Sequence, residues 1–184
     1  MKTRNWKRFF VAAAVTALAA MSLSACGGSS SGLDAIKERG VVKVGVKADV
    51  PKFSLQNTAT GEYEGFEDDL AYAIAGKILG ISAEEAKAQK KVEFQAVNAK
   101  TRGPLVENGE VDYVIATFTI TPERKETYNF SPAYYTDAVG ILVNNDSGIE
   151  TIEDLDGKII GVAQSSTSKE EFENYKAENG IQAE

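Results

Sequence analysis

The chain has 184 residues, of which 43% are hydrophobic and 26% charged, with a net charge of −7 and no histidine. This acidity argues against nucleic acid and anionic membrane surfaces as partners. The lack of histidine removes the commonest general base and metal ligand, and the sequence has no glycine-rich phosphate loop or metal-ligand cluster. We therefore expect no cofactor and no metal.

The N-terminus has the pattern of a secretory signal. Basic residues precede an apolar run that is shorter than the ~20 residues a membrane span needs. The run ends at Leu23-Ser-Ala-Cys26, which resembles the lipobox of bacterial lipoproteins. That resemblance implies a lipoprotein signal peptide over residues 1–25, lipidation at Cys26 and a lipid-anchored flexible tether over residues 26–32. Ordinary secretory cleavage near Ala25 is the alternative.

From residue 33 onward, predicted strands and helices alternate. The clearest helix covers residues 65–80, and residues at helical spacing predict its buried stripe: Phe66, Leu70, Ala73, Ile74 and Ile78. The other predicted helices lie at 33–40, 81–90, in the second part of 98–109 after a strand-end loop, after Thr121, at 151–155 and at 165–179. The predicted strands lie at 41–46, 91–97, 111–118, 134–143 and 158–164, with a hairpin-like turn at 58–63. This alternation predicts a parallel α/β sheet.

Three predicted strand-end loops each carry a cation: Lys47, Arg102 and Arg124. In parallel sheets, ligands bind in the crevice beyond the carboxyl ends of the strands. We therefore predict that the three cations share one site.

The loop after the 111–118 strand has hydroxyls at Thr117, Thr119 and Thr121. Thr121 can cap a short helix that begins at a proline. Arg124 lies in the first turn of that helix, where a cation is unfavourable for the helix dipole. Hydroxyls, a guanidinium and free strand-end backbone predict a carboxylate site. An ordinary loop with the arginine in water is the alternative.

A second candidate anion site lies at Ser165-Ser-Thr-Ser168. Hydroxyls and unpaired N–H groups at a helix N-terminus can bind an anion. Plain N-capping is the alternative.

Several motifs in order resemble one known family. They are Gly65-Phe-Glu-Asp-Asp-Leu-Ala, Asn98-Ala-Lys-Thr-Arg-Gly-Pro-Leu, Thr119-Ile-Thr-Pro-Glu-Arg with Asn129-Phe-Ser, and Gly157-Lys-Ile-Ile-Gly-Val. The mature chain resembles the extracytoplasmic solute-binding proteins of polar amino-acid ABC transporters (solute-binding family 3), closest to the aspartate/glutamate-binding branch. The resemblance implies an α/β, periplasmic-binding-protein-like two-lobe fold of type II. Lobe 1 would cover residues 33–143, and residues 144–184 would form the hinge and the start of lobe 2.

The resemblance also implies roles for residues of lobe 1. Arg124 would grip the α-carboxylate of an amino acid with help from Thr119, and Thr117 would contact its α-amino group. Phe53 would cover the aliphatic part of the ligand.

Four further residues complete the implied site. Ser166 and Thr167 would close over the carboxylate from the second lobe. Lys47 and Arg102 match the cations expected near a side-chain carboxylate, because burying two carboxylates requires more than one cation.

The sequence departs from the family pattern in three places. Asp68 stands where an apolar residue is usual, so we expect that helix face to be wetter. The proline in Ser131-Pro-Ala-Tyr-Tyr is displaced, which could alter the approach to the hinge. Family members continue beyond Glu184 and supply an acid for the ligand ammonium, so we expect the sequence to be C-terminally truncated.

The expected function is that of a monomeric, lipid-anchored receptor at the outer face of the cell membrane. It would capture aspartate or glutamate by lobe closure and deliver it to an ABC permease and its ATPase, without catalysis. A receptor for glutamine or another polar amino acid, or a sensor or adhesin, is the alternative. A further alternative is a secreted cyclohexadienyl-dehydratase-like enzyme of the same fold, with Asp49 as a candidate acid.

Overall fold

The structure is a computed structural model that describes residues 32–183. The predicted signal peptide, Cys26 and all but the last residue of the tether lie outside this range. Within residues 32–183, no helix has both the length and the apolar character needed to cross a membrane.

The described residues form helices and strands close to those predicted. In chain order they are α1 Gly32–Arg39, β1 Val42–Val46, β2 Asp49–Val50, β3 Ser54–Gln56, β4 Tyr63–Glu64, α2 Phe66–Leu79, α3 Ala83–Ala88, β5 Val92–Ala96, α4 Arg102–Glu107, β6 Tyr113–Ile115, α5 Pro122–Thr127, a 3₁₀ turn Glu153–Leu155 and α6 Ser168–Asn179.

The larger sheet is parallel, as predicted, with strand order β5-β1-β6. Its central strand β1 is held on both sides, and Val42, Val44 and Val46 are fully buried in the hydrophobic core. At the carboxyl end of β1, Val46 pairs with Ala96 of β5 and Ile115 of β6. The loops after all three strands therefore begin at the same edge of the sheet.

A small antiparallel sheet, β2-β3-β4, lies beside the start of α2. Gly65 joins the two with φ of +152°, and a Cβ there would overlap the carbonyl of Phe53. The amide of Glu67 donates to that carbonyl at 2.9 Å, and the amide of Phe66 donates to Lys52. Only glycine lets the two segments approach this closely. This contact fixes the N-terminal turn of α2 against the loop that carries Phe53.

The buried face of α2 differs from the predicted stripe. Phe66 is 45% exposed and Ala73 is exposed, so the prediction is wrong for these two residues. The fully buried positions are small or acidic: Glu67, Asp68, Ala71, Ala75 and Gly76. Small residues let the helix backbone pack closely, and the two acids find hydrogen-bond partners at its N-terminal end. Helical spacing of large apolar residues could not reveal that arrangement.

The predicted strands at 134–143 and 158–164 are not formed. Both segments are irregular, and no strand within residues 32–183 pairs with them. Their apolar side chains are largely exposed, with Leu142 at 99% and Ile159 at 86%. A strand requires a partner for its backbone groups, so β-branched composition alone was an insufficient signal.

Asp68 is only 1% exposed, so the expectation of a wetter helix face is wrong. The Ser54 hydroxyl lies 2.8 Å from Asp68 Oδ1 and 2.5 Å from the carbonyl oxygen of Lys47. A hydroxyl has one hydrogen to donate, so it can serve both neighbours only if Asp68 carries a proton and donates to it. Burial, aided by the charges of Glu67 and Asp69, raises the pKa of Asp68 to about 6, although the contact with Ser54 acts in the opposite direction.

This geometry predicts that the stability of the fold depends on pH through Asp68. Because the folded-state pKa lies above the usual value of 3.8, the folded chain binds the proton more tightly, and stability falls as pH rises from about 4 to about 6. Asp68→Asn removes this titration. The unfolding free energy of the variant minus that of wild type should therefore be larger at pH 7 than at pH 4.5 by at least about 1 kcal/mol, since each pKa unit corresponds to about 1.4 kcal/mol. Urea unfolding at both values measures the difference.

Asp69→Asn is the matched control, because the Asp69 side chain in the same helical turn is 76% exposed. Its unfolding free energy should follow that of wild type at both pH values, apart from the minor contribution of the Asp69 charge to the pKa of Asp68. An Asp68→Asn curve that runs parallel to wild type would contradict the assignment.

Candidate functional site

The candidate site is organised by the turn that follows β6. Ala116 is fully buried, whereas Thr117 and Thr119 are exposed. Thr117 has φ of +47°, a left-handed conformation that is uncommon for a β-branched residue and costs of order 1–3 kcal/mol. The surrounding structure must therefore hold this residue in place.

Two charged side chains hydrogen-bond to the backbone of the turn. Glu67 Oε1 accepts a hydrogen bond from the Thr117 amide at 2.7 Å. Arg102 Nη1 donates to the carbonyl oxygens of Ala116 at 2.7 Å and Thr117 at 3.0 Å. The backbone of Thr117 is thus bonded to an acid through its N–H and to a cation through its carbonyl.

The same Glu67 oxygen accepts a second hydrogen bond from Tyr134 Oη at 2.5 Å. Burial and this hydrogen bond raise the pKa of the Tyr134 hydroxyl, which keeps it in the protonated form that donates. Tyr134 begins the irregular segment 134–143, so Glu67 joins that segment to the turn.

Arg124 lies in the first turn of α5, as predicted. Its amide donates to Thr121 Oγ1 at 3.2 Å, which confirms Thr121 as the cap, and Pro122 occupies the first helical position. Arg124 Nη1 donates to the Thr119 carbonyl at 2.8 Å and Nη2 to the Ser165 carbonyl at 3.0 Å. The guanidinium therefore spans the gap between the turn and the loop before α6. Burial lowers its pKa, and nearby acids oppose this effect.

Arg102 and Arg124 meet at one aromatic ring. Their guanidinium carbons lie 4.1 and 4.8 Å from the centroid of Phe118, within the range of cation–π attraction. Arg102 is 4% exposed, and burial together with the charge of Arg124 lowers its pKa to about 10. Its observed hydrogen bonds go to backbone carbonyls, so the structure places it under the turn.

Lys47 and Phe53 lie in the loops that follow β1. Lys47 Nζ lies 3.0 Å from Asp49, whose side chain is 73% exposed. Phe53 packs edge-on against Phe66 at 6.3 Å and Tyr135 at 4.9 Å between ring centroids. The sequence pattern placed Phe66 in the core and did not reveal that it packs in an aromatic cluster with Phe53 and Tyr135. Its position immediately after Gly65, beside a strand-end loop, was the available signal.

Ser166 and Thr167 lie at the start of α6. Ser166 Oγ donates to the Ala163 carbonyl at 2.7 Å and accepts from the Ser168 amide at 3.3 Å. Thr167 occupies the N-cap position, but its side chain makes no capping hydrogen bond. The alternative of plain N-capping therefore does not describe Thr167.

A cavity of about 330 Å³ lies between α5 and the start of α6. This volume is at the lower end of the range for small-molecule sites. Its lining residues are Thr121, Glu123, Arg124, Thr127, Tyr128, Ser165, Ser166, Thr167 and Glu170. Three predicted site residues, Arg124, Ser166 and Thr167, are brought together here. Lys47, Phe53, Arg102, Thr117 and Thr119 are not among the lining residues.

A second cavity, of about 390 Å³, lies between α1 and α2 and is lined mainly by apolar side chains, including Leu33, Ile74 and Ile78. It contains none of the predicted site residues. In residues 32–183, no group of three or more cysteine, aspartate or glutamate side chains is arranged to hold a metal ion.

The family described as bacterial extracellular solute-binding proteins, family 3, matches residues 42–180. The glutamine-binding protein of Geobacillus stearothermophilus is 36% identical over 92% of this chain and 74% of its own length. The glutamate-binding protein GluB of Corynebacterium glutamicum is 35% identical over 85% of this chain and 53% of its own length.

Solved structures show the same architecture. The cysteine-binding protein of Campylobacter jejuni is 33% identical, with a TM-score of 0.66 over 83% of this chain and 57% of that chain. An ancestral amino-acid-binding protein, described as a precursor of cyclohexadienyl dehydratase, is 36% identical, with a TM-score of 0.64 over 79% of this chain and 61% of that chain. The chain thus spans about three fifths of these structures. The prediction of a two-lobe, type II periplasmic-binding-protein-like α/β fold is confirmed, with the second lobe only partly represented.

Proposed function

The chain belongs to the bacterial extracellular solute-binding proteins, family 3, and we propose that it captures a polar amino acid outside the cytoplasm and delivers it to an ABC permease and its ATPase. It acts as a monomer and catalyses no reaction. The geometry of Arg124 is the observation that carries this proposal.

Arg124 is suited to bind the α-carboxylate of an amino acid. A guanidinium has five N–H donors in a planar fork that matches a carboxylate. Two hydrogen bonds to backbone carbonyls hold the group beside the cavity, and three donors remain. Thr117 and Thr119 do not line the cavity in this structure; in the closed form, Thr119 would assist at the carboxylate and Thr117 would contact the α-amino group. Ser166 and Thr167 approach from the other side of the cavity.

L-Glutamine is the favoured ligand. Arg102 is hydrogen-bonded to the turn and Lys47 is paired with Asp49, so neither cation has to be offset by a second ligand carboxylate. The likeness to a glutamine-binding protein supports this choice. Phe53 and Phe66 would then cover the aliphatic part of the side chain.

An acidic amino acid, glutamate or aspartate, is the second candidate. Asp49 is mostly exposed, so a ligand carboxylate could replace it beside Lys47 at little cost. The likeness to a glutamate-binding protein is consistent with this alternative.

Binding would proceed by hinge closure. We propose lobe 1 at residues 33–143, and the hinge and start of lobe 2 at residues 144–184. The Arg124 bond to Ser165 crosses between these two parts. A ligand that contacts both parts shifts the population toward the closed form. Against the dehydratase alternative, the candidate acid Asp49 is exposed and paired with a lysine, which does not favour proton transfer in a dry site.

Calorimetric titration with L-glutamine, L-glutamate and L-aspartate tests the function. Wild type should bind L-glutamine most tightly. Arg124→Lys keeps the charge but loses the planar fork and should weaken binding about 10- to 100-fold, because a charge-assisted hydrogen bond contributes about 1.5–3 kcal/mol.

Arg39→Lys is the matched control, since Arg39 is an arginine bonded to Asp112 away from the site. Its affinity should stay within a factor of about two of wild type. Equal affinities for wild type and Arg124→Lys would contradict the carboxylate role. Tighter binding of L-glutamate or L-aspartate would select the second candidate.

We also propose that Cys26 is lipid-modified and anchors the chain through the tether at residues 26–32. In cells given a radioactive fatty acid, the full chain should carry label and sediment with membranes. Cys26→Ser should carry no label and leave the membrane fraction. Labelling that persists in Cys26→Ser would contradict the anchor.

A further inference from the structure

We propose that Glu67 is a positioning residue for ligand binding, because it holds the Thr117 turn in shape and ties it to Tyr134. This inference rests on the proposed function and deepens it. Glu67 itself contacts no ligand and acts through the backbone of the turn.

The burial of Glu67 requires an explanation. The side chain is 0% exposed in the first turn of α2, and its Oε2 has no hydrogen-bond partner among the described residues. Burying a carboxyl group without full hydrogen bonding is unfavourable. Both bonds that it does make, from Thr117 and from Tyr134, converge on Oε1 and come from residues distant in the chain.

The bond to Thr117 opposes backbone strain. A threonine with φ of +47° tends to relax to negative φ unless its backbone groups are held. Glu67 holds the N–H, while Arg102 holds the carbonyl. If the acid is removed, the Thr117 N–H loses this acceptor, while Arg102 still bonds the Thr117 carbonyl.

The position of Thr117 determines that of the carboxylate site. Two residues later, the Thr119 carbonyl accepts a hydrogen bond from Arg124. A change of φ at Thr117 would therefore move both the Thr119 carbonyl and the guanidinium that it orients. Through Tyr134, the same oxygen links the turn to the segment that runs toward the proposed hinge.

The chain offers a matched control in Asp112. Asp112 Oδ2 also accepts a backbone amide bond, from Lys43 at 2.7 Å, and contacts Arg39. Lys43 lies near the start of β1, at the opposite end of the strand from the candidate site. Asp112→Ala therefore removes the same kind of bond without touching the turn.

Calorimetry with L-glutamine and L-glutamate tests the proposal on the full chain. Glu67→Ala should weaken binding at least 10-fold, whereas Asp112→Ala should change it by less than threefold. Glu67→Gln keeps an acceptor oxygen and should lose less than Glu67→Ala. If Glu67→Ala does not fold, Glu67→Gln still tests the proposal, because loss of the charge beside Arg102 should weaken binding at least threefold.

The coupling to Thr117 separates positioning from a general loss of stability. Glycine adopts positive φ without strain, so the turn in Thr117→Gly no longer depends on the acid. Glu67→Ala should therefore reduce the binding affinity by a factor that is at least threefold smaller in the Thr117→Gly background than in wild type. In ¹⁵N spectra of the ligand-free protein, Glu67→Ala should shift the Thr117 amide proton upfield, and Asp112→Ala should not.

Two results would overturn the inference while leaving the proposed function intact. One is wild-type affinity in Glu67→Ala, and the other is an equal loss in both Thr117 backgrounds. Absence of binding by wild type itself would overturn the proposed function, and this inference with it.

Discussion

The backbone of Thr117 is the constraint on which the candidate site depends. A β-branched residue there adopts a left-handed conformation between a buried acid and a buried arginine. Each of these charges would be unfavourable in the interior by itself. The turn gives each of them hydrogen-bond partners, and in return they fix the direction in which the chain leaves β6. Thr119 and Arg124 are placed by that direction.

The parallel sheet explains why these residues meet. Strands β1 and β6 are neighbours in register, so the loops after Val46 and Ile115 start at the same edge. The close contact of Gly65 with Phe53 brings the N-terminal turn of α2 to this edge as well. Glu67 thereby reaches Thr117, and Phe66 joins Phe53. The sheet therefore positions the candidate site, whose residues come from three separate segments: the loop after β1, the turn after β6 and the start of α2.

Local chemistry was predictable from the sequence. Thr121 caps α5 and Pro122 opens it, because both signals act within a few residues. The strand-end position of the three cations also follows from the alternation of strands and helices. What each cation bonds was not predictable, since the bonds of Arg102 to Ala116 and Thr117 depend on how the turn folds back over it.

The predictions that the structure contradicts failed for a common reason. Periodicity selects the most apolar face of a helix, so it placed Phe66 inside and overlooked the buried carboxyl group of Glu67. The prediction of strands at 134–143 and 158–164 assumed partners that residues 32–183 do not provide. Both errors concern long-range pairing, which a local pattern does not contain. The departure at Asp68 was noticed, but its burial depends on the distant Ser54 hydroxyl.

The central claim is that the turn from Thr117 to Arg124 is the amino-acid carboxylate site. Titration of the ¹⁵N-labelled protein with L-glutamine, followed through the backbone amides and the Arg124 Nε–H resonance, tests it most directly. The account predicts saturable shifts at Thr119 and at Arg124 Nε–H, with little change at Ile74 and Ile78 in the cavity between α1 and α2. Shifts confined to that second cavity, with the turn unaffected, would contradict it.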